Sequence, residues 1–296
     1  MRSLQRYIFL LSVFLISINA FGIELSDTTS MKFKADSLFS IGEYYEASLL
    51  YHKASYFSLS EKNKALLLLR KTDCLKQCGS FAEGGQALSK IDLLALSDSL
   101  IIAIKYQEGF CAYLAQDYQL AESHLIQTVL YTKDSSLIIP TLPILSLTFN
   151  ELNKWQESKR TLLLYISKTY QNNLIIRDSL VKNLETFYAK ENIPKLKKPN
   201  KARIMSHIIP GLGQCYAGYY KEGISSFLIN AAIVGGAVVG VYFHYYITAF
   251  IGGNALLGKF YIGNVNRAQF LTNKRNYLQS KKYNTYLKEN ILKISK

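Results

Sequence analysis

Apolar, aromatic and small residues return at a fixed step of 37 positions across the first two thirds of the chain. One aromatic position, one small position and two apolar positions keep their residue type over four copies. The aromatic set is Tyr44, Phe81, Tyr118 and Trp155, the small set is Ala47, Gly84, Ala121 and Ser158, and the apolar sets are Leu38, Leu75, Ala112 and Phe149, followed by Tyr51, Leu88, Leu125 and Leu162. A fixed step of this length is typical of stacked supersecondary units, each burying its apolar face against the next copy.

Each copy predicts two helices joined by a tight turn. The turn residues are Gly42, Gly79, Gln116 and Asn153, two positions before each aromatic, and a residue in left-handed conformation there would end the first helix. Helix pairs are expected at residues 30–58, 61–95, 98–132 and 135–170, with an amphipathic stretch at 178–191 capping the last pair. Pro140 and Pro143 should shorten or kink the first helix of the fourth pair. The pattern predicts an all-α fold.

The repeat resembles the tetratricopeptide repeat, with a step of 37 residues rather than about 34. The resemblance is strongest in the first copy and weakest in the fourth. It implies a tetratricopeptide-like helical repeat solenoid over residues 28–192, which would bind a peptide or a helix of a protein partner. The periodic aromatics are expected in the core, and the candidates for exposed partner contacts are Tyr45, His52, Tyr56, Tyr106 and Tyr113.

A second pattern begins after the repeats, where the run from Gly223 to Phe243 contains no Asp, Glu, Lys or Arg. About 20 such residues cross the core of a bilayer. The run follows the spelling Pro-Gly-Leu-Gly-Gln-Cys-Tyr-Ala-Gly at 210–218, which with Lys-Glu-Gly at 221–223 looks like the start of small two-helix membrane modules of bacteria. That resemblance implies membrane integration of residues 204–266 as a helical hairpin, and no known catalysis. The motif residues are Pro210, Gly211, Gly213, Gln214, Tyr216, Gly218, Gly223, Tyr261, Gly263 and Asn264.

The motif predicts an interfacial turn, with Tyr216 at the level of the lipid head groups and Gln214 satisfying exposed backbone. The second apolar stretch, 245–262, includes Gly252, Gly253, Asn254 and Lys259, which weaken it as a second span. A hairpin would leave the basic tail on the side of the repeats, against the positive-inside tendency, whereas one span with a re-entrant segment would place the tail in the cytoplasm. The motif resemblance favours the hairpin.

The formal net charge of +14 is concentrated on both flanks of the apolar run. Residues 193–203 form a basic linker and residues 267–296 a basic helical tail. Bases beside a spanning segment favour contact with anionic membrane lipid over nucleic acid.

Residues 1–22 have the basic start, short apolar run and small residues of a signal peptide, with an uncleaved anchor as the alternative. In either case the repeat domain is expected on the exported, periplasmic side of a membrane, which could be the inner or the outer one.

The four cysteines and four histidines do not suggest a reactive site. Cys74 and Cys78 lie four apart with no zinc spacing nearby, and the histidines are scattered. No catalytic residue, cofactor or metal is therefore expected. The sequence favours a non-enzymatic, membrane-anchored scaffold of the bacterial cell envelope that binds envelope proteins through its repeats. The alternative is a component of a membrane transport or enzyme complex that acts through the glycine-rich membrane module.

Overall fold

The computed structural model describes residues 28–131 and 138–294, and these contain helices, turns and bends but no strand. The expected signal peptide at 1–22 lies outside the described residues. The chain divides into two compact units. The repeat unit contains the described residues up to Tyr188 together with residues 291–294, and the hairpin unit is Ala189–Asn290.

Consecutive helices of the repeat unit pack against one another. The first three pairs are α1 (28–40) with α2 (Tyr44–Tyr56), α3 (Glu61–Gln77) with α4 (Phe81–Leu88), and α5 (Asp98–Leu114) with α6 (Tyr118–Tyr131). The fourth pair is α7 (Thr141–Glu151) with α8 (Trp155–Thr169), followed by α9 (Leu174–Phe187). The second helix of every pair begins at the aromatic residue that the 37-residue step singled out.

The same turn joins the two helices in all four pairs. Its left-handed residue has a φ of +89° at Gly42, +75° at Gly79, +63° at Gln116 and +59° at Asn153. The next amide donates to a carbonyl five residues earlier, with N···O distances of 3.0, 2.9, 2.9 and 2.8 Å, and the acceptors are Leu38, Leu75, Ala112 and Phe149. These are Schellman turns, which satisfy carbonyls that a helix end leaves free. The predicted turn positions are confirmed in every copy.

The small residue of each copy lies where the two helices of a pair meet. Ala47, Ala121 and Ser158 are fully buried, and so is Gly84, whose added Cβ would lie 3.3 Å from Thr72 Cγ2. The apolar residue four positions later in each copy is buried as well, at Tyr51, Leu88, Leu125 and Leu162. Small residues therefore let the helices approach, and the larger residues one turn later fill the core.

Two helix ends lie several residues inside the bounds expected for their pairs. α4 ends at Leu88 rather than near residue 95, because the chain turns after it, and the carboxylate of Asp92 accepts the Leu94 amide at 3.0 Å. α7 begins at Thr141, directly after Pro140, and at 11 residues it is shorter than the 17-residue α3 and α5. The predicted shortening by the prolines is confirmed.

α9 is the amphipathic helix that was expected to cap the repeats. Leu184 is fully buried, and Tyr188 directly after α9 is 3% exposed. The Tyr188 hydroxyl lies 2.7 Å from Ser158 Oγ and 3.1 Å from Asn150 Nδ2 in the fourth pair. Ser158 Oγ lies 2.7 Å from Ser146 Oγ, so the fourth copy joins its helices through buried polar groups.

The hairpin unit begins with two short helices and continues into two long ones. They are α10 (Pro199–Ile208), α11 (Leu212–Ala217), α12 (Tyr220–Tyr242) and α13 (Tyr246–Ile294). Residues 199–203 of the expected linker belong to α10. α13 joins the second apolar stretch to the expected helical tail without a break, whereas a re-entrant segment would interrupt the helix.

α12 and the first half of α13 form an antiparallel hairpin. The turn between them has a φ of +68° at His244, and the Tyr245 amide donates to the Gly240 carbonyl at 2.8 Å, which is again a Schellman turn. The two helices stay in contact away from this turn. As the residue number decreases along α12, the number of the facing residue in α13 increases. The pairs are Gly240 with Ala249, Ala237 with Gly253, Ser226 with Asn264, and Glu222 with Arg267.

One helix among the described residues, α12, is long and apolar enough to cross a membrane. Its apolar window has a mean hydropathy of 2.0, and only 6% of that window is buried. A core helix of a soluble protein with this composition would be mostly buried, so α12 leaves an apolar surface uncovered.

Candidate functional site

The base of the hairpin contains a buried polar cluster centred on Asn264, formed by Ser206, Gln214, Ser226 and the Gly211 amide. Asn264 Oδ1 accepts from the Gly211 amide at 2.9 Å, from Gln214 Nε2 at 2.6 Å and from Ser226 Oγ at 2.7 Å. Gln214 Nε2 also lies 3.1 Å from the Asn264 carbonyl oxygen. Gln214 is 1% exposed and Asn264 5% exposed. One side chain on α13 thus ties together α11, α12 and the turn before α11.

Ser206 completes this Asn264 cluster from α10. Its hydroxyl donates to Gln214 Oε1 at 3.0 Å and accepts from the Gly213 amide at 3.0 Å. Its carbonyl accepts from Asn264 Nδ2 at 3.2 Å. The polar groups of Gln214 and Asn264 are therefore committed to partners inside the protein, which is the condition for burying amides at low cost.

Two of the motif glycines lie so close to main-chain atoms of neighbouring segments that a Cβ at either position would overlap with those atoms. At Gly211 a Cβ would meet the Gly223 carbonyl oxygen, and at Gly213 it would meet the Ala202 carbonyl oxygen and lie 2.8 Å from Ala268 Cβ. Gly211 also has a φ of +91°. These positions require glycine because the obstructing atoms belong to the backbone.

Gly218 ends α11 in the same Schellman turn found in the repeats. Its φ is +90°, and the Tyr219 amide donates to the Gln214 carbonyl at 2.9 Å. Arg275 Nη1 on α13 donates to the Ala217 carbonyl at 2.9 Å and occupies the space that a Cβ at Gly218 would need. The motif residue Gly218 therefore serves the turn and the docking of an arginine.

The two motif tyrosines lie at the edges of the cluster. The Tyr216 ring faces Lys197 and Lys201, whose Nζ atoms lie 5.0 and 5.5 Å from its centroid, and the Tyr216 carbonyl accepts from Lys197 Nζ. The Tyr261 hydroxyl donates to the His207 carbonyl. Lys197 is itself fixed, since its amide donates to Asn276 Oδ1 at 2.9 Å.

The structure corrects one expectation for the motif. Gln214 was expected to satisfy exposed backbone, but it is buried, because the short α11 turns it towards Ser206 and Asn264. Gly263 makes no close approach, since an added Cβ would meet nothing within 4 Å. Sequence reasoning missed Ser206, Ser226 and Arg275, which carry no local pattern; their partners lie 8 to 58 positions away along the chain.

A charged cleft of about 570 Å³ opens beside the Asn264 cluster, between α12 and α13. Within it, Arg267 Nε and Nη2 donate to the Glu222 carboxylate at 2.8 and 3.1 Å. Lys221 and Lys259 also line it and make no ion pair with any residue in the described ranges. The cleft wall also includes Ile229 and Phe260, so charged and apolar side chains line the same space.

The candidate partner-binding residues lie on two helices from different pairs. Tyr45 is 60% exposed and Tyr56 is 83% exposed on α2, where His52 is exposed too. Tyr106 on α5 is half-buried and stacks on Phe110, with ring centroids 6.1 Å apart.

The expectation that Tyr113 is exposed is wrong. Its side chain is 8% exposed, because it lies at the end of α5, where the Schellman turn brings the Tyr118 ring to a centroid distance of 5.7 Å. Burial raises the pKa of Tyr113 above its ordinary value.

Buried titratable groups of the repeat unit are held in unreactive states. Burial raises the pKa of Cys74 and of Cys111 to about 11, so both thiols stay protonated near neutral pH. Burial also acts to raise the pKa of Glu108, but hydrogen bonds from His124 and Lys105 outweigh it and hold the pKa below its usual value. In the described ranges, no three His, Cys, Asp or Glu side chains are placed to hold a metal ion.

Comparison of the chain with protein-family models, with curated proteins and with solved structures found no match.

Proposed function

We propose that this protein is a non-enzymatic, membrane-anchored scaffold of the bacterial cell envelope. A tetratricopeptide-like repeat solenoid would bind envelope proteins on the exported side, and the hairpin would fix it to a membrane. The observation that carries the proposal is the four-fold Schellman turn at a 37-residue step, with a buried small residue five positions after each left-handed residue. Units that repeat in this way build extended surfaces for protein partners.

The hairpin supports the anchoring half of the proposal. α12 combines spanning length with almost complete exposure of its apolar window. The Asn264 cluster holds α12 against α13 by bonds that need no outside partner, so it supports a structural role for the motif rather than a catalytic one. With Glu222 beside Arg267, both ends of a membrane-crossing hairpin would emerge on one side.

Site-specific photocrosslinking in intact cells tests the scaffold. A photoreactive amino acid replaces Tyr45 or Tyr56 in the repeat unit, and in a matched control it replaces Tyr277, which is 62% exposed on α13. We expect a discrete protein adduct from Tyr45 or Tyr56 that is absent from Tyr277. Adducts only from hairpin positions would instead favour the transport or enzyme alternative.

Native cysteines test the exported orientation. Cys78 is exposed in the repeat unit, whereas Cys74 and Cys111 are buried. A membrane-impermeant maleimide added to spheroplasts should label Cys78, as located by peptide mass spectrometry, and Cys78→Ser should abolish the label on that peptide, whereas a label on the half-buried Cys215 is counted separately. Labelling of Cys78 only after lysis would contradict export of the repeats.

A further inference from the structure

We infer that the cleft between the bases of α12 and α13 binds the phosphate group of an anionic phospholipid. This inference rests on the proposed membrane anchoring, since the cleft faces lipid only if the hairpin is inserted. The observations are the two lysines without carboxylate partners, the open floor at Gly263, and the lining of the cleft by both charged and apolar side chains.

The charge of the cleft comes from residues on facing helices. Lys221 lies at the start of α12 and Lys259 on α13, and both line the same space. Arg267 and Glu222 form an ion pair with two hydrogen bonds, so their charges offset each other. The two lysines are therefore the groups that can attract an anion. Lysine ammonium groups bind phosphate as point charges without fixing its orientation.

Neutral polar groups at the cleft are already engaged. Ser226 donates to Asn264 Oδ1 at 2.7 Å, Ser225 donates to the Lys221 carbonyl at 2.9 Å, and Gln214 bonds to Asn264. A ligand would therefore be recognised by its charge and its apolar part. That combination selects a lipid with a net negative head group over a sugar or a nucleobase, which would need free donors and acceptors.

The position of Lys259 fits a lipid ligand. It lies in the apolar arm of the hairpin, eight residues before Arg267, and it is exposed. A lysine at this depth extends its head towards water or an anion while its stem covers apolar surface. Ile229 and Phe260, which also line the cleft, would contact the glycerol and upper acyl chain.

Two substitutions change the cleft without disturbing the packing of the helices, and each has a matched control. Gly263→Leu fills the cleft floor, where a Cβ meets no atom within 4 Å, so the helix packing should survive. Gly258→Leu is its matched control, because Gly258 is equally open on α13 but does not line the cleft. Lys259→Gln removes one charge, and Lys281→Gln controls for charge on the same helix.

Native mass spectrometry of the full-length protein, purified in nonionic detergent, measures lipid adducts during titration with phosphatidylglycerol. We expect one saturating adduct, weakened roughly tenfold by Lys259→Gln, as loss of one charged contact implies, and abolished by Gly263→Leu. The two control variants should match the unchanged protein. Equal binding by all variants, or equal binding of phosphatidylcholine with the same acyl chains, would overturn the inference.

A competition arm identifies the source of the phosphate. Excess inorganic phosphate should leave the phosphatidylglycerol adduct in place, whereas its displacement would show a site for free phosphate and contradict the lipid assignment. Extraction of membranes with alkaline carbonate tests anchoring separately. Release of the protein would refute the anchoring proposal, while retention together with unaltered adducts in Gly263→Leu would refute only the cleft.

Discussion

The two units use the same turn but bring their helices together by different means. Schellman turns with a left-handed residue end helices at Gly42 and Gln116 in the repeat unit and at Gly218 in the hairpin unit. In the repeat unit, an added Cβ at Gly109 would meet the Leu125 side chain at 2.6 Å, and a side chain can move. In the hairpin unit, the atom facing Gly213 is a backbone carbonyl, which cannot move without shifting α10.

This difference follows from what fills the space between the helices. The repeats bury large apolar residues such as Leu125 and Leu162 behind one small residue, and such cores adjust by changing rotamers. The base of the hairpin buries Gln214 and Asn264 in a closed set of hydrogen bonds whose geometry depends on main-chain positions. We therefore expect substitutions that add atoms to cost less stability in the repeat unit than at the base of the hairpin.

Gly213→Ala should produce the largest effect, because the added methyl group overlaps the Ala202 carbonyl oxygen. We expect a loss of more than about 3 kcal/mol in the hairpin unit, at the upper end of overpacking costs. Cys215, the only cysteine of this unit, reports it through its rate of thiol labelling, located by peptide mass spectrometry. Gly258→Ala should leave that rate unchanged.

Gly109→Ala adds the same methyl group in the repeat unit and tests the contrast between the units. The closest obstructing atoms, at 2.6 and 2.8 Å, belong to the Leu125 side chain, and the Leu125 backbone nitrogen lies 3.2 Å away. We expect a cost of about 1 kcal/mol. The emission of Trp155, the only tryptophan of the chain and 8% exposed in the repeat unit, follows unfolding of this unit. A cost equal to that of Gly213→Ala would refute the contrast between the units.

Asn264→Leu should produce the second largest effect, after Gly213→Ala. It leaves the Gly211 amide and Ser226 without their buried acceptor, and Gln214 Nε2 keeps only the main-chain carbonyl of residue 264. One unsatisfied buried group costs about 1 to 3 kcal/mol, so we expect about 3 kcal/mol from Cys215 labelling. Asn254→Leu is the control, because Asn254 is exposed and its amide bonds only to the Phe250 carbonyl.

Ala121→Leu tests the small position of the repeat. Ala121 is fully buried, and the larger side chain should push α6 away from its neighbours at a cost of about 2 kcal/mol, measured by Trp155 emission. Ala82→Leu at an exposed position of α4 should change stability by less than about 0.5 kcal/mol. An unaltered melting curve for Ala121→Leu would contradict the register of the repeat.

The surroundings of Glu108 predict how the stability of the repeat unit changes at acidic pH. Its carboxylate lies 2.8 Å from Lys105 Nζ and 3.1 Å from His124 Nδ1, and its pKa in the folded state is below the usual value of 4.5. A depressed carboxyl pKa contributes stability above the unfolded pKa, and this contribution disappears as the pH falls through the folded pKa.

The stability difference between the unchanged protein and Glu108→Gln should therefore be full at pH 7 and shrink below about pH 4.5. Trp155 emission in urea at several pH values measures it, with Glu157→Gln on α8 as the comparison. A difference that stays constant down to pH 3 would show that the ion pairs of Glu108 contribute nothing.

How far the sequence predicts this structure depends on the distance between interacting residues. The turns at Gly42, Gly79, Gln116 and Asn153 are local, so a 37-residue step was enough to locate them and the aromatic that starts each second helix. Asn264 bonds to residues 38 to 58 positions away along the chain, and no periodicity reports such a contact. The motif spelling identified Gln214 and Asn264 but gave no reason to pair them.

The smallest expected effect concerns the turn that both units share. Gln116 and Asn153 hold a left-handed backbone that costs an L-residue roughly 1 to 2 kcal/mol, whereas Gly42 and Gly79 hold it without that cost. Gln116→Gly should therefore stabilise the repeat unit by about 0.5 kcal/mol, because the greater freedom of glycine in the unfolded chain offsets part of the gain.

Gly42→Ala is the reverse experiment, and it isolates the backbone contribution because an added Cβ there meets no atom within 4 Å. We expect a loss of about 1 kcal/mol from the same Trp155 measurement. If Gln116→Gly destabilised the unit instead, the glutamine side chain would have to contribute packing that its exposed position in the turn does not indicate. The repeat unit would then resemble the hairpin base, where turn residues are fixed by their contacts rather than by their backbone conformation.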